Sequence, residues 1–189
     1  FPEAKFIHVI RDGRDVALSY LWVAWGPRTL WEAARKWRRD VSAGRRHGAS
    51  LGPERYLEVR YERLVAEPRR VLELVCDFAG LSFDERMLAF HTHARLQGRP
   101  EWRGFHASVT KPVTGGLRDW STQMPEQQVL AFEAVAGGLL EELGYPRRHE
   151  GIPLPWRAGA RVRMGVLALK VLGSRAEEAL LQAAKRLRG

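Results

Sequence analysis

Residues 6–20 read FIHVIRDGRDVALSY, and the class of fold turns on this stretch. Four of the five residues Phe6–Ile10 are apolar, the composition of a strand buried on both faces of a sheet. Asp12 has the character of a helix N-cap, and Asp15 stands three residues on, where a capping box carries its acidic member. Val16, Ala17 and Tyr20 then fall along one helical stripe, and Gly13 permits a tight turn ahead of them. Strand, short turn and helix start are where open α/β sheets bind their ligands. A helix N-terminus favours an anion. Arg11 at the strand tip can grip a phosphate bidentately, and Ser19 can donate a hydroxyl to the same group. The competing reading makes Arg11 and Arg14 solvated turn residues paired with Asp12 and Asp15.

Outward from this stretch the pattern alternates. Thr29–Arg46 has a helical period with Leu30, Ala33, Ala34, Trp37 and Val41 on one face, Thr29 as N-cap and Glu32 as its partner. Gly48–Pro53 reads as a turn and Tyr56–Tyr61 (YLEVRY) as a second strand. Pro68 opens a helix that runs to Ala79 and closes at Gly80. Residues 82–94 read as helical, and Gln97–Asp119 as a long irregular segment of the kind that carries function. Pro125–Leu143 is a helix ended by Gly144, Pro146–Pro155 a linker, and Ala160–Leu187 a basic helix. The class is α/β with a parallel sheet. Two buried strands alone make a poor sheet, so the expectation is a later part of a larger fold, incomplete at its N-terminus.

With 189 residues and 21.5 kDa, the chain has the size of one domain, or of a domain with an appendage. The net charge of +9 suits anionic ligands, but no nucleic-acid-binding motif accompanies it, and nucleic acid is not an expected partner. Cys76, the single cysteine, is spaced as a small core residue, which fits a cytoplasmic protein. His91 and His93 lack a third ligand nearby, so no metal site is expected. No signal peptide is in view, and the longest apolar run near the end, Met164–Leu169, is too short to span a bilayer. Trp22, Trp25, Trp31, Trp37 and Trp102 belong to the core or line an apolar cleft. Arg161–Arg188 suits capping of the domain or weak contact with an anionic membrane, and homo-oligomers are left open.

FIHVIRDGRDVALSY together with YLEVRYERLVAEPRRVLELVCDFAGL resembles the sulfotransferases that use 3′-phosphoadenosine-5′-phosphosulfate, in particular their bacterial branch. A third segment, TGGLRDWSTQMPEQQVLAFEAVAGGLLEELGY, is similar to that family's late glycine-containing region. The resemblance covers about residues 4–145. It implies a P-loop-NTPase-like three-layer fold for residues 1–145, with residues 146–189 as linker and basic C-terminal helix.

The same resemblance implies that Arg11 and Ser19 bind the 3′-phosphate and that Tyr61 lies near the adenine. Thr114-Gly115-Gly116 stands where relatives carry a further phosphate-binding Arg; Gly115 and Gly116 can offer backbone N–H groups, and Lys111 or Arg118 can supply the charge. The family's 5′-phosphosulfate loop and catalytic base would precede Phe1, so the catalytic residue is unassigned. His8 reads as a packed strand residue, and His91, His93 and His106 as weaker candidates. The expected activity is sulfuryl transfer to a hydroxyl or amine of a small-molecule, lipid or carbohydrate acceptor, with no metal and with the isolated chain inactive. The alternative is a non-catalytic nucleotide-binding or partner subunit of the same fold.

Overall fold

The structure, a computed structural model, describes residues 1–20, 26–93 and 118–151. Among them are strands β1 (Phe6–Ile10) and β2 (Tyr56–Arg60), which pair in parallel with Phe6 opposite Tyr56 and Ile10 opposite Arg60. The helices are α1 (Gly13–Tyr20), α2 (Leu30–Leu51), α3 (Tyr61–Ala66), α4 (Pro68–Ala79), α5 (Phe90–His93), α6 (Trp120–Gln123) and α7 (Glu126–Glu142). Parallel strands need a crossover, and α1 and α2 lie in the one between β1 and β2. The α/β class and the parallel pairing agree with the sequence.

The chain divides into two compact units. The described residues of the first come from 1–11 and 43–93, those of the second from 12–20, 26–42 and 118–151.

In the first unit β1 is not the doubly buried strand expected from its composition. Ile10 is buried, but Phe6, Ile7 and Val9 are 50%, 43% and 49% exposed. Among the described residues β1 has a strand neighbour on one side only, so its apolar side chains lack the flanking cover that such a composition serves. Helix α4 forms as expected: Pro68 sits in its first turn, and Gly80 ends it in the left-handed region at φ 75°. Val71 and Cys76 face inward, with Cys76 Sγ 3.7 Å from Met87 Sδ. Residues 82–94 were expected to be helical; the structure has a short 3₁₀ turn at Glu85–Met87 followed by the four residues of α5.

The turn expected at Gly48 is instead the last part of α2, which continues to Leu51. A Cβ on Gly44 would lie 2.6 Å from the His8 ring, and one on Gly48 would lie 2.3 Å from the Tyr56 ring. These glycines are therefore seats for the aromatic rings of the sheet. The actual turn follows at Gly52, φ 78°, whose carbonyl accepts from the N–H groups of Arg55 and Tyr56.

In the second unit the first part of α2 carries its expected cap. Thr29 Oγ1 accepts from Glu32 N at 3.1 Å, and Glu32 Oε2 accepts from Arg28 N at 2.9 Å. Leu30, Ala33, Ala34, Trp37 and Val41 are all buried, and the Trp37 ring packs tilted on Phe132 at 6.0 Å. Gly13 has no positive φ, so a special turn does not explain it; a Cβ there would come within 2.5 Å of the Trp37 ring. Helix α7 ends at Gly144, φ 74°.

Candidate functional site

In the first unit, the parallel register brings the carboxyl ends of β1 and β2 side by side. Arg11 follows β1 and Tyr61 follows β2, and the Arg11 guanidinium stacks over the Tyr61 ring at 4.6 Å from its centre. Two residues that the resemblance assigns to one nucleotide, 50 positions apart in sequence, are therefore in contact. Tyr61 is the first residue of α3 and not the last of β2, so its ring starts a helix at the strand's end.

Behind this edge runs a polar chain that was not read from the sequence. Arg45 Nε donates to Glu58 Oε1 at 2.9 Å, and the Tyr56 hydroxyl donates to the same oxygen at 3.1 Å. With its one proton given to Glu58, that hydroxyl accepts from Nδ1–H of His8, 2.6 Å away. Burial holds the His8 pKa below its ordinary value, against the pull of Glu58 and with the help of Arg45. Burial and the Glu58 carboxylate push Tyr56 up to about 12. His8 is thus a half-buried, hydrogen-bonded strand residue and not the packed core residue expected. His91 packs edge-on against Phe90 at 5.7 Å.

The second unit holds α1 and its N-terminus. Asp12 Oδ1 accepts from Arg14 N at 2.9 Å, the expected N-cap bond. Asp15 Oδ1 accepts from Trp120 N at 2.8 Å. The Ser19 hydroxyl donates to Asp15 O at 3.2 Å, a bond back to the preceding helical turn.

Arg14 corrects the reading of a solvated turn. It is fully buried, 0% exposed, and grips Asp12 bidentately through Nε at 3.0 Å and Nη2 at 2.7 Å. Its Nη1 donates to Glu133 Oε1 at 2.7 Å, its Nη2 to Pro146 O at 2.9 Å, and its face lies 3.5 Å from the Trp120 ring centre. Glu133 also accepts from the backbone N–H groups of Arg148 and His149, at 3.0 and 2.9 Å. Residues 146–149, expected to begin a linker, are tied to α7 by these bonds. The one available sequence signal was Glu133 itself, a lone charge inside the apolar run VLAFEAVAG. Buried charges of this kind persist only when paired and hydrogen-bonded.

Gly115, Gly116, Lys111, Thr114 and His106 lie outside the described residues, as do Trp22, Trp25, Trp102 and the C-terminal segment. Among the described residues no group of His, Cys, Asp and Glu is arranged to hold a metal ion, and no helix is long and apolar enough to cross a membrane.

Comparison with known proteins follows the same lines. The model of the sulfotransferase family matches residues 1–85. The sulfotransferase domain of the olefin synthase of Synechococcus PCC 7002 is similar with a TM-score of 0.58 and 28% identity, over 76% of this chain and 50% of that one. The sulfotransferase domain of the curacin biosynthetic pathway shares the fold, with a TM-score of 0.54 and 23% identity over 77% of this chain and 55% of that one. Protein-tyrosine sulfotransferase A of Caenorhabditis elegans is 27% identical over 155 residues, 77% of this chain and 40% of the relative. Protein-tyrosine sulfotransferase 2 of Gallus gallus is 27% identical over 157 residues, 77% of this chain and 41% of the relative. The chain thus spans about 40% of the length of these curated relatives. With its parallel strands and flanking helices the chain has the α/β P-loop-like fold of those domains, and over residues 1–85 its sequence is similar to the sulfotransferase family.

Proposed function

We propose that the chain holds the 3′-phosphate half of the donor site of a sulfotransferase that uses 3′-phosphoadenosine-5′-phosphosulfate. The observation that carries this reading is the Arg11–Tyr61 pair at the carboxyl edge of the two parallel strands. A guanidinium there suits a phosphate, and an aromatic ring beside it suits the purine of the same nucleotide. Ser19 keeps its proposed share in the phosphate on the resemblance alone, and so do Lys111, Gly115 and Gly116. The transferred sulfuryl group goes to a hydroxyl or amine of the acceptor. The names of the curated relatives add a tyrosine hydroxyl to the small-molecule, lipid and carbohydrate acceptors expected. Arg11 orients the donor and makes no bond to the moving sulfur, so its contribution is positional. The setting proposed is cytoplasmic, with no metal.

Calorimetric titration with adenosine 3′,5′-bisphosphate and with adenosine 5′-monophosphate tests the assignment. The parent chain is expected to prefer the bisphosphate. Arg11→Ala removes that preference, a loss of about 2–4 kcal/mol on the scale of a charge-assisted pair. Ser19→Ala costs about 1 kcal/mol with the bisphosphate only. Equal affinity for both nucleotides in the parent would overturn the reading; an equal loss with both in Ser19→Ala would return Ser19 to its helix bond with Asp15.

A further inference from the structure

The second unit contains a cavity of about 280 Å³ on the flank of α7, lined by Arg38, Glu133, Val135, Gly137, Gly138 and Arg147 among others. Two of these carry positive charge, and both have bonds to spare. Arg38 is exposed and has one N–H, on Nη1, bonded to Val135 O at 2.8 Å. Arg147 is 16% exposed and pairs through Nη1 with the half-exposed Glu141 at 2.9 Å, while its buried Nε has no acceptor among the described residues. An arginine carries five donors in a fixed fork, so both guanidinium groups retain donors for a further acceptor. The negative charge on the lining is already committed, because Glu133 is held by Arg14 and by two backbone N–H groups.

The adjacent glycines of α7 point the same way. Each costs helix stability relative to alanine. Gly137 is explained by packing, since a Cβ there would lie 3.0 Å from Arg147 Nε. Gly138 is not, since a Cβ there would meet nothing within 4 Å. It keeps side-chain atoms off the cavity wall where the two arginines meet the helix.

We propose that this cavity binds a small oxyanion, inorganic phosphate or the phosphate group of a phosphomonoester, through the Arg38 and Arg147 guanidinium groups. The proposal is independent of the sulfuryl-transfer reading. The test uses the full chain carrying Arg11→Ala, which keeps the proposed nucleotide site out of the measurement. Inorganic phosphate and ribose 5-phosphate are titrated separately by calorimetry at low ionic strength. Binding is expected to weaken at least about tenfold with Arg38→Ala or Arg147→Ala added, one lost charge-assisted contact each. It is expected to disappear with Gly138→Leu, which keeps every charge and fills the space. Arg35→Ala, whose guanidinium stacks on Trp31, serves as the charge control and leaves binding unchanged. Tighter binding of inorganic phosphate identifies the free ion as ligand; tighter binding of ribose 5-phosphate identifies an esterified one. Absence of binding before the added substitutions, or equal binding in the Gly138→Leu chain, overturns the proposal.

Discussion

Arg11 and Arg14 are separated by two residues and have opposite fates. Arg11 lies at the strand end against Tyr61, while Arg14 is enclosed by Asp12, Glu133 and Trp120. Both were candidates for the same turn, and only the partners distinguish them. His8 and Tyr56 are similarly defined by company, and they make stability depend on pH in two windows. The folded pKa of His8 is depressed, so the folded chain binds fewer protons than the unfolded one just below the ordinary value of 6.5. Stability is therefore expected to fall as pH drops below about 6.5. Tyr56 is raised from 10.0 to about 12, so its contribution is intact below pH 10.0 and lost between there and about 12. Urea midpoints measured across both ranges should show the two declines, and Tyr56→Phe should abolish the alkaline one. An alkaline decline that persists in Tyr56→Phe would mean that another group is responsible.

At the scale of elements, glycine in a helix has no single meaning. In α2, Gly48 sits where the Tyr56 ring occupies the position of a side chain. Gly48→Ala is expected to destabilise by about 1–2 kcal/mol through overpacking, in spite of alanine's better helix propensity. Gly138 in α7 faces open space, so Gly138→Ala should stabilise by about 1 kcal/mol. Denaturant midpoints of the two variants against the parent give the comparison, and shifts of the same sign would contradict it. The joints between α1, α6 and α7 depend on Arg14. Arg14→Met strands two buried carboxylates and is expected to cost about 3–5 kcal/mol. Replacing Arg39, an exposed arginine of α2, should change stability by less than about 1 kcal/mol under the same assay.

For the molecule as a whole, the proposed function and the exposed strand edge can be tested together. The chain spans about 40% of its curated relatives, and β1 exposes Phe6, Ile7 and Val9. The expected outcome is a chain that binds adenosine 3′,5′-bisphosphate without transferring sulfate by itself. Exposed apolar strand residues of this kind also favour self-association. Incubation with radiolabelled donor and a panel of hydroxyl acceptors, a tyrosine peptide included, checks the first point; light scattering checks the second. Labelled product above background would show that a base and a sulfonate clamp lie within these residues.

Local chemistry made much of this protein legible without its fold. The Thr29–Glu32 cap, the Pro68 start and Gly80 stop of α4, and the buried stripe Leu30–Val41 depend on neighbours three or four residues away, and each formed as read. Arg11 and Tyr61 were legible as candidates because motifs carry them, but their contact required the parallel register of β1 with β2. What depends on distant partners could not be read in advance. Gly48 resembles a turn until the ring of Tyr56 is set against it, and Arg14 resembles a surface residue until Glu133 arrives from 119 positions away. A backbone cap is satisfied within one turn of chain, whereas a ring seat or a buried charge is defined by which remote side chain fills it, and that choice belongs to the tertiary structure.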